Sequence, residues 1–175
     1  MSRNDCIRQS KTSCSWLRKS VAALGTGLES LEKSLRHLQI DMKECRALKS
    51  LTELCDALAK LSALRTLNLE FFRCSALRDV CLPPLVTLRH LTLDLRECGL
   101  ESPTELGLGL ARLVALETLH LDLRRCSSLR SAAEIGRGIA PCRVLRSLEL
   151  ELGGGQRLAE LGPDLGCGLG QLAPR

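Results

Sequence analysis

Three histidines and ten cysteines, together with an acid that recurs beside leucines, are the residues of this chain with chemistry to offer. His37 and His90 each stand four residues before an aspartate, and His120 stands two before Asp122. Imidazole and carboxylate are suitable zinc ligands. A metal site also needs ligands that converge and outer partners that hold them, and this pattern supplies neither, so no metal is expected. The cysteines include no Cys-x-x-Cys pair, and thiols set in apolar frames are usually inert. Glycine pairs at Gly25/Gly27, Gly107/Gly109, Gly136/Gly138 and Gly166/Gly168 superficially suggest a phosphate loop. They lack the third glycine of a dinucleotide fingerprint and the Gly-Lys-[Ser/Thr] of a P-loop, and they recur at regular places, which favours close packing of neighbouring segments. No G-x-S-x-G or H-E-x-x-H motif occurs. The expectation is a protein that is not an enzyme and carries no cofactor.

The elements that would position these residues show themselves by recurrence. "LTLDLREC" at 91–98 returns as "LHLDLRRC" at 119–126. Aligned on that octet, "LRHLQIDMKEC", "LRTLNLEFFRC", "LRHLTLDLREC", "LETLHLDLRRC" and "LRSLELELGGG" begin at 35, 64, 88, 116 and 145. Apolar and polar residues alternate in each, which predicts a short strand. Between them lie "LGTGLESL" (24–31), "LCDALAKL" (54–61), "LGLGLARL" (106–113), "IGRGIAPC" (135–142) and "LGCGLGQL" (165–172), with apolar residues at i, i+4 and i+7, a helical spacing. The unit from 64 to 87 is short and carries Pro83-Pro84, so its outer segment is expected to be extended. No single unit can bury both its apolar faces. Stacking would place the strands in one parallel sheet over a shared aliphatic interior.

This frame resembles the leucine-rich repeat family, particularly its ribonuclease-inhibitor-like and cysteine-containing classes. The resemblance covers residues 35–175 and implies an α/β solenoid, a right-handed β-α superhelix with a parallel sheet on its concave face. It also implies that Cys45, Cys74, Cys98 and Cys126 form a ladder under the turn after each strand, meeting backbone groups that the bend leaves unpaired. Cys14 is a candidate fifth member. The chain departs from the family in having two further residues before the cysteine, which predicts an extended strand. Residues 1–34 read as a polar segment with a degenerate first unit.

If the leucines point inward, the residues between them form columns across the exposed sheet. One column reads Asp41, Glu70, Asp94, Asp122, Glu151; the next reads Lys43, Phe72, Arg96, Arg124, Gly153; the strand-start column reads Arg36, Arg65, Arg89, Glu117, Arg146. Like charges ~4.8 Å apart repel by about 0.9 kcal/mol even in water, and flanking cations can offset this through diagonal pairs. The face is therefore either a self-neutralising solvated surface or a patterned surface that recognises a protein. For the second reading the contact residues are Asp41, Glu70, Phe72, His90, Asp94, Arg96, His120, Asp122 and Arg124. Phe72, the one aromatic placed outward in the sheet, is either an interface anchor or a ring covered by the basic side chains around it.

Composition narrows the partners. The net charge is +5 and aromatic residues make up 2% of the chain. The sheet columns, with Glu149 included, balance to no net charge, which makes the sheet a poor groove for nucleic acid. No apolar run reaches the ~18 residues of a membrane span. Without a secretory signal, dispersed cysteines suit a reducing compartment, cytoplasmic or nuclear; an Arg- and Ser-rich start leaves an organelle-targeting segment as the lesser alternative. Two functions stand: a non-catalytic protein-interaction module, or a structural or regulatory segment of a larger protein that self-associates through an uncapped C-terminal end.

Overall fold

The computed structural model describes residues 32–153 and the backbone of a two-residue strand at 6–7. The expected features at 8–31 and 154–175 (Cys14, the first and last helical segments, the C-terminal end) lie outside the described residues. The fold is α/β. Its strands are β1 (Cys6–Ile7), β2 (His37–Asp41), β3 (Thr66–Glu70), β4 (His90–Asp94), β5 (Thr118–Asp122) and β6 (Ser147–Glu151), with helices α1 (Thr52–Ala59), α2 (Thr104–Ala111) and α3 (Ala133–Ile139). The strands form one sheet in chain order, every neighbouring pair parallel. The two octets are adjacent, with Leu91 opposite Leu119 and Asp94 opposite Asp122. The acidic column is continuous from Asp41 through Glu70, Asp94 and Asp122 to Glu151.

Alternation decides which side of the strand is dry. Leu67, Leu69, Leu91, Leu93, Leu119 and Leu121 are buried, in one cluster with Leu54 and Leu58 of α1, Leu106 and Leu110 of α2, and Ile135 and Ile139 of α3. Each fully buried leucine contributes about 1.5–3 kcal/mol by leaving water, so the repeated leucines set the register as well as the core. A one-residue slip would turn them all outward.

The outer segments follow the sequence closely. Between β3 and β4, where Pro83-Pro84 lies, no helix forms, and the Pro83 and Pro84 carbonyls accept the N–H of Leu85 and Val86 in short turns. The three helices start about two residues before the apolar spacing indicates. A serine precedes each: the Oγ of Ser50, Ser102 and Ser131 accepts the backbone N–H of Thr52, Thr104 and Ala133 at 3.1, 3.3 and 3.2 Å. The strings "SLTE", "SPTE" and "SAAE" carry the Ser-x-x-Glu signature of a helix start, a signal the apolar spacing alone passes over.

The glycines act by closeness. A Cβ on Gly138 would lie 2.2 Å from the Gly107 carbonyl oxygen, and one on Gly107 would lie 2.3 Å from the Glu134 carbonyl oxygen. Helices α2 and α3 therefore touch backbone to backbone at these positions, as packing glycines require. No helix among the described residues is long and apolar enough to cross a membrane.

Candidate functional site

The polar face of the sheet begins with the turn that ends each strand. Parallel pairing does not stop at the acidic residue: Leu95 and Glu97 N–H donate to the Asp122 and Arg124 carbonyls at 2.8 and 3.0 Å, and Phe71 and Arg73 to Asp94 and Arg96 at 2.8 and 2.9 Å. This is the extension implied by the two extra residues. The chain then bends sharply, with Cys74, Cys98 and Cys126 N–H returning to the Phe71, Leu95 and Leu123 carbonyls. The residue before each cysteine, namely Glu44, Arg73, Glu97 or Arg125, has φ between 57° and 62°. A turn of type II requires a positive φ at that place, yet glycine is absent and charged residues bear the strain.

The thiols finish the turn. Cys74 Sγ donates to the Met42 carbonyl at 3.2 Å, Cys98 Sγ to Phe71 at 3.1 Å and Cys126 Sγ to Leu95 at 3.0 Å. The Phe71 and Leu95 carbonyls thus receive the N–H of their own cysteine and the thiol of the next, using both lone pairs. Cys45 occupies the same place and is half-buried. Burial pushes the Cys126 thiol up to about 12, and the neighbouring Cys74 thiol together with burial raises Cys98. These are thiols held protonated as donors. Elsewhere, Cys55 Sγ donates to the Cys81 backbone carbonyl at 3.0 Å, so its partner is a peptide oxygen and not a base.

The acids serve the same bend. Asp41, Asp94 and Asp122 each accept the backbone N–H two residues on, at 3.1 Å, the local bond by which aspartate stabilises turns. Arg96 clamps Asp94 through Nε at 2.9 Å and Nη2 at 2.6 Å, and Arg124 holds Asp122 likewise at 3.0 and 2.6 Å. Such two-point pairs are among the stronger charge-assisted contacts. Each cation also reaches the next acid: Lys43 pairs with Asp41 and Glu70, Arg96 with Asp94 and Asp122, and Arg124 with Asp122 and Glu151. The two columns close into a zipper that cancels the repulsion expected along the acidic one.

This corrects the solvated placement of two expected contact residues. Asp94 and Asp122 do stand on the polar face, but they are 9% and 3% exposed, because the arginines fold back over them. Burial alone would raise the Asp94 carboxyl; the Arg96 hydrogen bonds and the charges of Arg96 and Lys43 outweigh it and hold the group below the usual aspartate range. Asp41, Glu70, Arg96, His120 and Arg124 are half-buried, and His90 is exposed. Glu70 is further engaged by the Gln39 and Asn68 amides at 3.0 and 3.4 Å.

Phe72 interrupts the zipper. It stands where the other units place Lys43, Arg96 and Arg124, between Glu70 and Asp94, and its half-buried ring lies 4.9 Å from the Arg73 guanidinium and 5.0 Å from that of Arg96. The ring borders a hollow of about 320 Å³ with Arg73, Arg96, Glu97, Arg124 and Arg125. Every arginine there is already paired with a carboxylate, since Arg73 and Arg125 both bind Glu97, at 2.9 and 3.0 Å. The hollow is therefore lined by paired cations, two of which share the one carboxylate of Glu97.

The histidines do not converge. His90 Nδ1 meets Thr118 Oγ1 at 2.8 Å and His120 Nδ1 meets Glu149 Oε2 at 2.7 Å. His120, Asp122 and Glu151 do bring ligand atoms within 4.8 Å of one another. The Arg124 guanidinium already binds both of those carboxylates, at 2.6 and 2.9 Å, so a cation entering the cluster would compete with the zipper.

No protein-family model matches the chain, and no curated protein matches it at a significant level.

Proposed function

We propose that the chain is a leucine-rich-repeat solenoid acting as a non-catalytic protein-recognition module, with its polar sheet on the concave side as the docking face. The assignment to that repeat class is supported by strands stacked in register and by the thiol-to-carbonyl bonds beneath successive turns. Phe72 carries the functional reading. A cation at that position would continue the zipper between Glu70 and Asp94, whereas an aromatic ring supplies no charge to it and stands half-buried against the Arg73 and Arg96 guanidiniums. Aromatic and arginine side chains dominate interface energetics, and here they are set together on the rim of a shallow hollow.

The acids are then recast. Asp94 and Asp122 hold the turns, and the partner meets Phe72, the outer edges of Arg96 and Arg124, and the imidazoles of His90 and His120. A photo-crosslinking phenylalanine analogue at position 72 tests this in native lysate. Discrete adducts at 72 that are missing when the analogue replaces the exposed helix residue Leu108 support the reading. Equal adduct patterns from both positions would remove the sheet face from it.

A further inference from the structure

The loops that lead into the strands form a second surface, opposite in character to the zipper. Arg36, Arg65, Arg89, Glu117 and Arg146 directly precede or adjoin the strands, and their backbones are joined in series. The Arg36 carbonyl accepts the N–H of Arg65 and Thr66, that of Arg65 accepts Arg89 and His90, that of Arg89 accepts Glu117 and Thr118, and that of Glu117 accepts Arg146 and Ser147. Arg36, Arg65 and Arg89 are thus consecutive cations at the entries of adjacent strands. Arg89 pairs with Glu117 at 2.9 Å; Arg65 and Arg146 take no side-chain partner among the described residues.

The same loops add Lys33, Arg112 and Arg143, all exposed, and only Glu32 and Glu117 oppose them. Interleaved with these cations are three exposed valines: Val86 at 60%, Val114 at 55% and Val144 at 48%. Val86 and Val114 occupy the same place relative to their strands, two residues before Leu88 and Leu116. A strand of five residues separates this edge from the zipper by roughly 17 Å, so the carboxylates there do not neutralise it at short range.

We infer that this strand-entry edge is a docking surface for an acidic, aliphatic-containing segment of a partner protein. Neighbouring guanidiniums repel one another, and within the row only Arg89 is compensated, by Glu117; a carboxylate-rich ligand would remove the cost that remains. The valines select a peptide over a polynucleotide: they offer nothing to phosphates, and no aromatic residue stands on this edge among the described residues to stack a base. The surface is distinct from the sheet face, so the two readings fail separately.

The test uses the full chain, immobilised, to select from a displayed library of random peptides, followed by binding of the enriched peptides in solution. Enriched sequences should combine Asp or Glu with Leu, Ile or Val, and their binding should weaken with added salt. The Arg65→Glu/Arg146→Glu chain should bind about tenfold more weakly, a difference of ~1.4 kcal/mol, and Val86→Ser/Val114→Ser should also reduce binding. The control Arg46→Glu/Arg130→Glu, which makes the same charge change on exposed residues leaving the strands, should bind as the unaltered chain does. Circular dichroism establishes that every variant is folded. Enrichment of peptides without acids, an equal loss in the control, binding indifferent to the valines, or tighter binding of a random RNA pool than of any peptide would overturn the inference.

Discussion

Where the strands end, carboxylates and guanidiniums meet in two-point pairs and the acids Asp94 and Asp122 sink to 9% and 3% exposure. Where the strands begin, arginines of the same sheet stand in an exposed row with Glu117 as their single opposing column member. Both edges are equally charged to the eye of a sequence reader. The difference is one of neighbours: an aspartate two residues before an arginine, across a tight bend, captures both the backbone N–H and the guanidinium, whereas an arginine entering a strand faces another arginine. Charge at the first edge is spent on holding turns, and charge at the second remains available to a ligand.

Removing the scaffold common to both edges has the largest effect. Leu93→Ala opens a cavity in the fully buried core and should destabilise by about 2–5 kcal/mol, read as a lowered denaturant midpoint. An unchanged midpoint would place Leu93 outside the core. Next comes Asp94→Ala, which leaves the Arg96 backbone N–H and guanidinium without their main acceptor. Because Arg96 is partly solvated, with its side chain 38% exposed, the loss should be ~1–3 kcal/mol.

Acid should distinguish the edges without any mutation. The folded Asp94 carboxyl is held below its ordinary value, chiefly by Arg96 against the opposing effect of burial, and Glu97 is lowered by its bonds to Arg73 and Arg125. Groups depressed in the folded state stabilise it above their unfolded pKa, and that stabilisation is lost as pH falls through the folded pKa. Stability should therefore hold down to about pH 4–5 and decline below it, with a shallower decline in Asp94→Asn. Parallel declines in the two proteins would deny Asp94 its role. The smallest expected change is a gain: Glu44→Gly relieves a positive φ of 61° and should stabilise by ~1 kcal/mol or less, measured by the same unfolding curve.

Much of this arrangement was legible beforehand. The recurring octet fixed which residues face one another, down to Asp94 opposite Asp122, because period-two alternation leaves a strand no other register once one face is dry. The cysteine ladder was what the family resemblance implied, and the helix-free segment at Pro83-Pro84 followed from proline chemistry. What alternation cannot convey is how far a neighbouring side chain reaches. It assigned Asp122 to the polar side correctly, and only the return of Arg124 over it removes the carboxylate from water. The strained turn residues were hidden for a similar reason, since Glu97 and Arg125 are not types that announce a positive φ. The basic edge was masked by summation: all the outward columns taken together, with Glu149, give no net charge, although the strand-start column and the acidic one lie at opposite ends of the strands.

The contrast between the edges is tested most directly by measuring chemical unfolding of Asp122→Ala beside Arg65→Ala. The acid is 3% exposed and receives the Arg124 N–H and guanidinium together with Arg96, so its loss should cost about 2–3 kcal/mol. The arginine should change stability by no more than about 0.5 kcal/mol. Equal shifts, or a larger one for Arg65, would contradict the division of the sheet into a structural edge and a free one.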